Sequence, residues 1–220
     1  MKTRTFAIGD IHGCFDSFHK LVEHKIRLKK NEKLILLGDY IDRGAQSKAV
    51  IDYIMELQNR GFGITPLTGN HESMLLDAFD NNIFLAQWII NGGTETLKSF
   101  GINSINEFNQ TYIDFFRSLK FYHSFENFLF VHAGFNDRAD NPFEDKYQMI
   151  WECQEKYMHP AFIGKTIIHG HRPVTVTICK EIIRANRQVI NIDTGCVYTD
   201  KVGYGHLSAI EVYTKELFSV

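Results

Sequence analysis

The chain has 220 residues, 44% hydrophobic and 13% aromatic, with 24 Lys and Arg against 26 Asp and Glu. That is apolar mass enough for one sizeable core, which argues against disorder, and a net charge of −2 gives no sign of a surface for nucleic acid or anionic membrane. No apolar run reaches the ~18 residues of a span, and Cys14, Cys153, Cys179 and Cys196 are scattered without a Cys-x-x-Cys pair, so a cytoplasmic protein with reduced thiols and no membrane anchor is expected.

In chain order, residues 5–8 (TFAI) predict a strand. Phe15, Phe18, Leu21, Val22 and Ile26 then recur at helical spacing. Residues 34–37 (LILL) predict the next strand. Val50, Ile51, Ile54, Met55 and Leu57 predict a helix that ends by Gly61. Residues 64–67 lead as a strand into Thr68-Gly69-Asn70-His71-Glu72 and a further helical pattern. Residues 81–120, with Trp88, Asn91-Gly92-Gly93, Phe108, Tyr112, Phe115, Phe116 and Leu119, predict a mainly helical insert. Strands return in FLFVHAG, TIIHGH and VINIDTG, and LSAIEVY and ELFSV predict a closing hairpin around Thr214-Lys215. The alternation is that of a single α/β domain over residues 1–220.

Polar residues recur where these apolar runs stop. Gly9-Asp10-Ile11-His12-Gly13 follows TFAI, and Gly38-Asp39 and Asp42-Arg43-Gly44 follow LILL. Asn70-His71-Glu72, His132-Ala133-Gly134 and His169-Gly170-His171 follow three further strands. Ligands of α/β sheets bind at the carboxyl ends of strands. One such Asp or His is commonly a loop cap or a satisfied core group. Five loops of the same kind are hard to explain that way, because burying so many polar groups together without a cation is costly. Asp10 and His12, two apart on a segment read as extended, are expected to point the same way. Imidazole, carboxylate and amide oxygen without thiolate suit manganese, iron, zinc or a similar divalent ion.

Together GDIHG, GDYIDRG, GNHE, the later HAG and the GH resemble the motif set of the phosphoprotein-phosphatase branch of the metallophosphoesterases. The match is dense over residues 6–73 and sparser over 128–134, 166–173 and 189–212. Through W-x-x-N-G-G (Trp88 to Gly93) the insert is loosely similar to compact bacterial and phage-type members. The resemblance implies a four-layer fold, a central β-sandwich flanked by helices. It implies two divalent metal ions, manganese first with iron, zinc or nickel as alternatives. Asp10, His12 and Asp39 would hold one, and Asp39, Asn70, His132 and His171 the other. His71 matches the general acid, oriented by Asp42. Arg43 matches a phosphate clamp, with Asn70 and Arg172 also assigned to the substrate. Asp193 is expected to support the site. The second phosphate-binding arginine of the family is missing from the stretch around Trp151, with Arg138 and Arg172 as the nearby substitutes. His171 rather than His169 fits the GH-x-P ligand pattern, which leaves His169 to pack or hydrogen-bond.

The implied reaction is hydrolysis of a phosphomonoester by direct attack of a metal-bridging hydroxide, with a phosphorylated protein as partner and phosphoserine, phosphothreonine and also phosphotyrosine as targets. The alternative is a dinucleoside polyphosphate (Ap4A-type) hydrolase acting on a nucleotide, a sister group with the same metals. Asp42 and Glu72 stand here as in protein phosphatases. A metal-binding scaffold without catalysis is a third reading, against which all expected ligands and the acid are present.

Overall fold

The computed structural model describes residues 2–220. Strands β1 (Thr5–Ile8), β2 (Lys33–Leu36) and β3 (Gly63–Pro66) are parallel, and β8 (Ser208–Glu211) and β9 (Leu217–Ser219) complete a five-stranded sheet in the order β3-β2-β1-β8-β9. The second sheet runs β4-β5-β6-β7, with β4 (Tyr122–Phe125) antiparallel to β5 (Phe128–Val131), and β6 (Thr166–His169) and β7 (Val189–Asn191) parallel to it. TFAI and FLFV read as unbroken apolar runs because both faces of these strands are buried.

Three apolar layers fix the architecture. Ala7, Ile35 and Ile210 of the first sheet meet Phe130, Ile168 and Ile190 of the second across the sandwich. The outer face of the first sheet (Phe6, Ile8, Leu34, Leu36) packs on α1 (Phe15–Lys20), α2 (Ser47–Asn59), α3 (Asn70–Asp77) and the helices of the insert. The outer face of the second (Leu129, Val131, Ile167, Val189) is covered by Phe135, Phe162 and α7 (Lys146–Trp151). The result is the four-layer sandwich that the resemblance implied.

Local sequence explains the boundaries. In α2 Ser47, Val50, Ile51, Tyr53, Ile54 and Leu57 are buried, and the aliphatic four of them form one stripe of a helix. The helix at Phe15 continues as a π-helical turn over Leu21–Ile26 and stops at Arg27, which is left-handed (φ 50°). Residues 82–118 form α4 (Asn82–Trp88), a π-helical turn (Ile89–Gly93), α5 (Thr94–Phe100), a 3-10 turn and α6 (Gln110–Ser118). The hairpin of β8 and β9 turns at Thr214-Lys215 as expected, with Lys215 at φ 59°. The sequence reading had not marked β4, α7 or α8 (Val176–Arg184). No helix among the described residues is long and apolar enough to cross a membrane.

Candidate metal centre and active site

The loops after β1, β2 and β3, and those after β5 and β6, converge at one edge of the sandwich. The chain folds sharply there. Among the described residues nine non-glycines have positive φ, and five of them are His12, Asp39, Asp42, Arg43 and His171. Such dihedrals cost about 1–3 kcal/mol each and persist where surrounding contacts enforce them. His12, at φ 44°, also corrects the expectation that Asp10 and His12 share an extended segment. The chain turns at His12, and the two side chains go to different neighbours.

Two donor groups share Asp39: His12, Asp39 and His71 in one, Asp39, His132 and His171 in the other. His132 Nδ1 donates to the Leu37 carbonyl at 2.9 Å. Its Nε2 therefore carries a lone pair, yet it faces Asn70 Oδ1 at 3.0 Å and His171 Nδ1 at 3.1 Å. His171 Nδ1 also lies 2.9 Å from Asn70 Oδ1. Two acceptor atoms, His132 Nε2 and Asn70 Oδ1, thus crowd together beside His171 Nδ1, with Asp39 Oδ2 3.5 Å from His132 Nε2. In the other group, His12 Nδ1 donates to the Ile41 carbonyl at 2.9 Å, which leaves Nε2 as acceptor 3.5 Å from Asp39 Oδ2. Arg43 Nη1 donates to that Nε2 at 2.8 Å. Converging lone pairs of nitrogen and oxygen are what a divalent cation satisfies, so the residues fit a binuclear site bridged by Asp39.

The electrostatics agree. Burial pushes His12 and His171 down to about 3, and His132 is also lowered by burial, so all three imidazoles are neutral and able to ligate. Burial, with Asp193 and Asp39 close by, holds the Asp10 carboxyl well above its usual range. Burial likewise pushes Asp193 up to about 7. Burial opposes the Asp39 charge too, but the surrounding histidines hold that carboxyl low. Buried acids clustered without a cation are the arrangement that a positive ion relieves.

Asp10 belongs to neither donor group but lies near Asp39 and His171, which do. Its oxygens accept the His171 backbone N–H at 3.1 Å, and Gly170 packs directly on the carboxylate, where any β-carbon would collide. Asp193 accepts the Gly195 N–H at 2.9 Å and lies buried beside Gly170. Arg172 is not drawn inward; its side chain is 63% exposed and reaches Glu152 at 3.9 Å. Arg138 lies on a different surface with Asn136, Asp137, Gln148 and Gln154. Among the described arginines expected at the site, Arg43 alone touches the donor groups.

His71 forms a pair with Asp42: Nδ1 donates to Asp42 Oδ2 at 2.7 Å. Its Nε2 is buried without a partner, 3.9 Å from Asp39 Oδ2. Burial opposes charge on this ring, yet the carboxylates of Asp39 and Asp42 raise its pKa. The insert completes the pair. Trp88 Nε1 donates to Asp42 at 3.0 Å, and Thr96 Oγ1 donates to Asp42 Oδ1 at 2.6 Å. Ser47 and Thr96 also receive the Asp42 backbone N–H. Glu72 accepts the N–H groups of Asp39 (2.9 Å), Tyr40 (2.7 Å) and Gly69 (2.9 Å), and so locks the GDYIDRG turn onto the GNHE loop. Thr96 was not singled out from sequence, and Trp88 and Glu72 were read only as parts of the W-x-x-N-G-G and GNHE resemblances, without these contacts. The W-x-x-N-G-G spacing was visible, but nothing in it reveals that the indole meets an aspartate 46 positions earlier.

Residues 3–201 match the model of the calcineurin-like phosphoesterases, and the chain belongs to that family of metal-dependent hydrolases. It is 24% identical to the asymmetrical bis(5′-nucleosyl)-tetraphosphatase PrpE of Oceanobacillus iheyensis, over 97% of this chain and 90% of that protein. It is 34% identical to serine/threonine-protein phosphatase 1 of Salmonella typhimurium, over 40% of this chain and 38% of that one. It spans only 24% of the zinc-dependent endopolyphosphatase of Saccharomyces cerevisiae, at 36% identity. A Saccharomyces cerevisiae protein serine/threonine phosphatase structure superposes with a TM-score of 0.67 at 15% identity, over 99% of this chain and 79% of that one.

Proposed function

We propose that the protein is a phosphomonoesterase acting on phosphate esters of alcohols, with phosphoserine and phosphothreonine of proteins as its main substrates and phosphotyrosine as a further one. The observation that carries this reading is the buried Asp42–His71 pair, whose Nε2 has no protein partner. An alkoxide leaving group is strongly basic and departs only when protonated. A phosphate leaving group, as in a dinucleoside polyphosphate, is weakly basic and has little need of an acid.

In this reading His12, Asp39, His132, His171 and Asn70, with Asp10 close by, hold two divalent cations, manganese being the first to test. Bound there, the ions supply Lewis acidity toward phosphoryl oxygens and lower the pKa of water. Arg43 turns from His12 to hold phosphate oxygens bidentately. His71 gives its Nε2 proton to the leaving oxygen, a step worth about 10²–10⁴-fold. Asp42 keeps the His71 ring in place and favours its charged form, and Trp88 and Thr96 hold Asp42.

The second reading, a dinucleoside polyphosphate hydrolase, is favoured by the match to PrpE along nearly the whole chain. Comparison of kcat/KM for phosphoserine peptides, p-nitrophenyl phosphate and diadenosine tetraphosphate on manganese-loaded protein decides. The expected order puts the phosphomonoesters first. Faster cleavage of the tetraphosphate, unaltered in His71→Asn, would replace the first reading by the second.

A further inference from the structure

His169 is the strand-end histidine that belongs to neither donor group. It is 4% exposed. Its Nδ1 donates to the Gly170 carbonyl at 3.0 Å, with Cys153 Sγ 3.6 Å away. The ring proton is thus on Nδ1, and Nε2 keeps an acceptor lone pair. No group among the described residues donates to that lone pair, and it is not sealed in the protein interior. The ring lines a cavity of about 480 Å³ on the outer side of the second sheet.

Val189 belongs both to the aromatic layer over this sheet and to the lining of the cavity. There β7 forms one wall through Val189 and α8 the other through Ile178 and Ile182. Arg172 and Arg187 also line the cavity. Arg187 makes no ion pair among the described residues, and Arg172 has only the distant contact with Glu152. Two apolar walls, an unpaired imidazole acceptor and two guanidinium groups define a ligand with a flat ring, an N–H donor on that ring and an anionic tail. The volume lies within the ~300–1,000 Å³ of small-molecule sites.

We propose that this cavity is a purine-nucleotide pocket separate from the metal centre. The base lies between β7 and α8 and donates an exocyclic N–H to His169 Nε2. The phosphates are held by Arg172 and Arg187, and Glu155 and Glu181 at the rim accept from sugar hydroxyls. An indole or phenol of a peptide could also donate to His169, but it carries no anion for the two arginines. The pocket is independent of which ester the metal centre hydrolyses.

Calorimetric titration of metal-free protein with AMP, ADP and ATP tests the assignment. Wild type is expected to bind with a dissociation constant below about 1 mM. His169→Phe should weaken binding about tenfold, the scale of one buried hydrogen bond. Ala185→Trp, at an exposed position on the cavity rim, should abolish binding and leave kcat/KM for p-nitrophenyl phosphate unchanged in the manganese-loaded enzyme. Circular dichroism of both variants checks that they fold. The proposal is overturned if no nucleotide binds metal-free wild type, or if both folded variants bind as tightly as wild type. It is also overturned if nucleotides bind only manganese-loaded protein and inorganic phosphate displaces them. A raised KM for Trp- or Tyr-containing phosphopeptides in Ala185→Trp, without nucleotide binding to wild type, would assign the cavity to peptide instead. A wild type that binds nucleotide but hydrolyses no phosphomonoester would keep the pocket and remove the function proposed above.

Discussion

Asp42 is fully buried, and every polar contact of its side chain serves His71 or holds Asp42 itself in place. That geometry predicts a split between substrates. His71→Asn should lower kcat for phosphoserine peptides about 10²–10⁴-fold. The loss for p-nitrophenyl phosphate should be far smaller, because nitrophenolate leaves without a proton. Manganese content, measured by atomic emission, should stay at the wild-type level; its loss would make His71 a ligand rather than an acid. Trp88→Phe keeps most of the ring but removes a donor from a buried carboxylate, at a cost of about 1–3 kcal/mol. Urea unfolding should show that destabilisation, and kcat for the peptide should fall with it while the p-nitrophenyl phosphate rate holds.

At the level of elements, the turns rather than the strands carry the demanding geometry. Gly38 has φ 102°, and a β-carbon there would lie 2.6 Å from the Gly69 nitrogen and 3.0 Å from His132 Nδ1. Gly38→Ala should destabilise the fold by at least about 2 kcal/mol in denaturant titration and weaken cation binding, since Asp39 and His132 would both have to move. These turns were legible in the sequence because apolar runs stop abruptly at them: TFAI before Gly9-Asp10, LILL before Gly38-Asp39, FLFV before His132. The unmarked elements lack that contrast. Tyr122–Phe125 (YHSF) is only half buried, so its pattern is weak, and α8 buries Cys179 alone among its nine residues. The positive φ of His12 was not readable either. It arises because the loop after β1 hydrogen-bonds to the Asp39 and Tyr40 carbonyls, and that loop packing is a tertiary fact.

For the whole molecule, the donors come from both halves of the sandwich. His12, Asp39 and Asn70 follow strands of the first sheet, and His132 and His171 follow strands of the second. Cations bound among them would fasten the two sheets together at one end. A ligand at a hundredfold excess over its dissociation constant stabilises by about 2.7 kcal/mol. With about 2–4 °C per kcal/mol for a chain of this size, removal of metal by a chelator should lower Tm by roughly 5–10 °C per ion. Differential scanning fluorimetry before and after manganese is restored reads this directly, and an unchanged Tm would show that nothing binds across the sheets. Phe130→Ala, in the layer between the sheets, should cost about 3–5 kcal/mol whether or not metal is present.

Gly92 accepts the Arg43 N–H at 3.4 Å, and its own φ of 112° brings the backbones close enough that a β-carbon would strike Arg43. With Trp88 on Asp42, the insert grips two neighbouring residues of the turn from behind. A protease nick at the exposed corner around Asn81 and Asn82 would therefore free the acid pair from its backing without touching any imidazole ligand. The clipped enzyme would still load manganese but would choose among esters by how readily their alcohols depart unaided. On the proposed function, integrity of one surface corner would decide whether the catalyst accepts stubborn leaving groups or only easy ones.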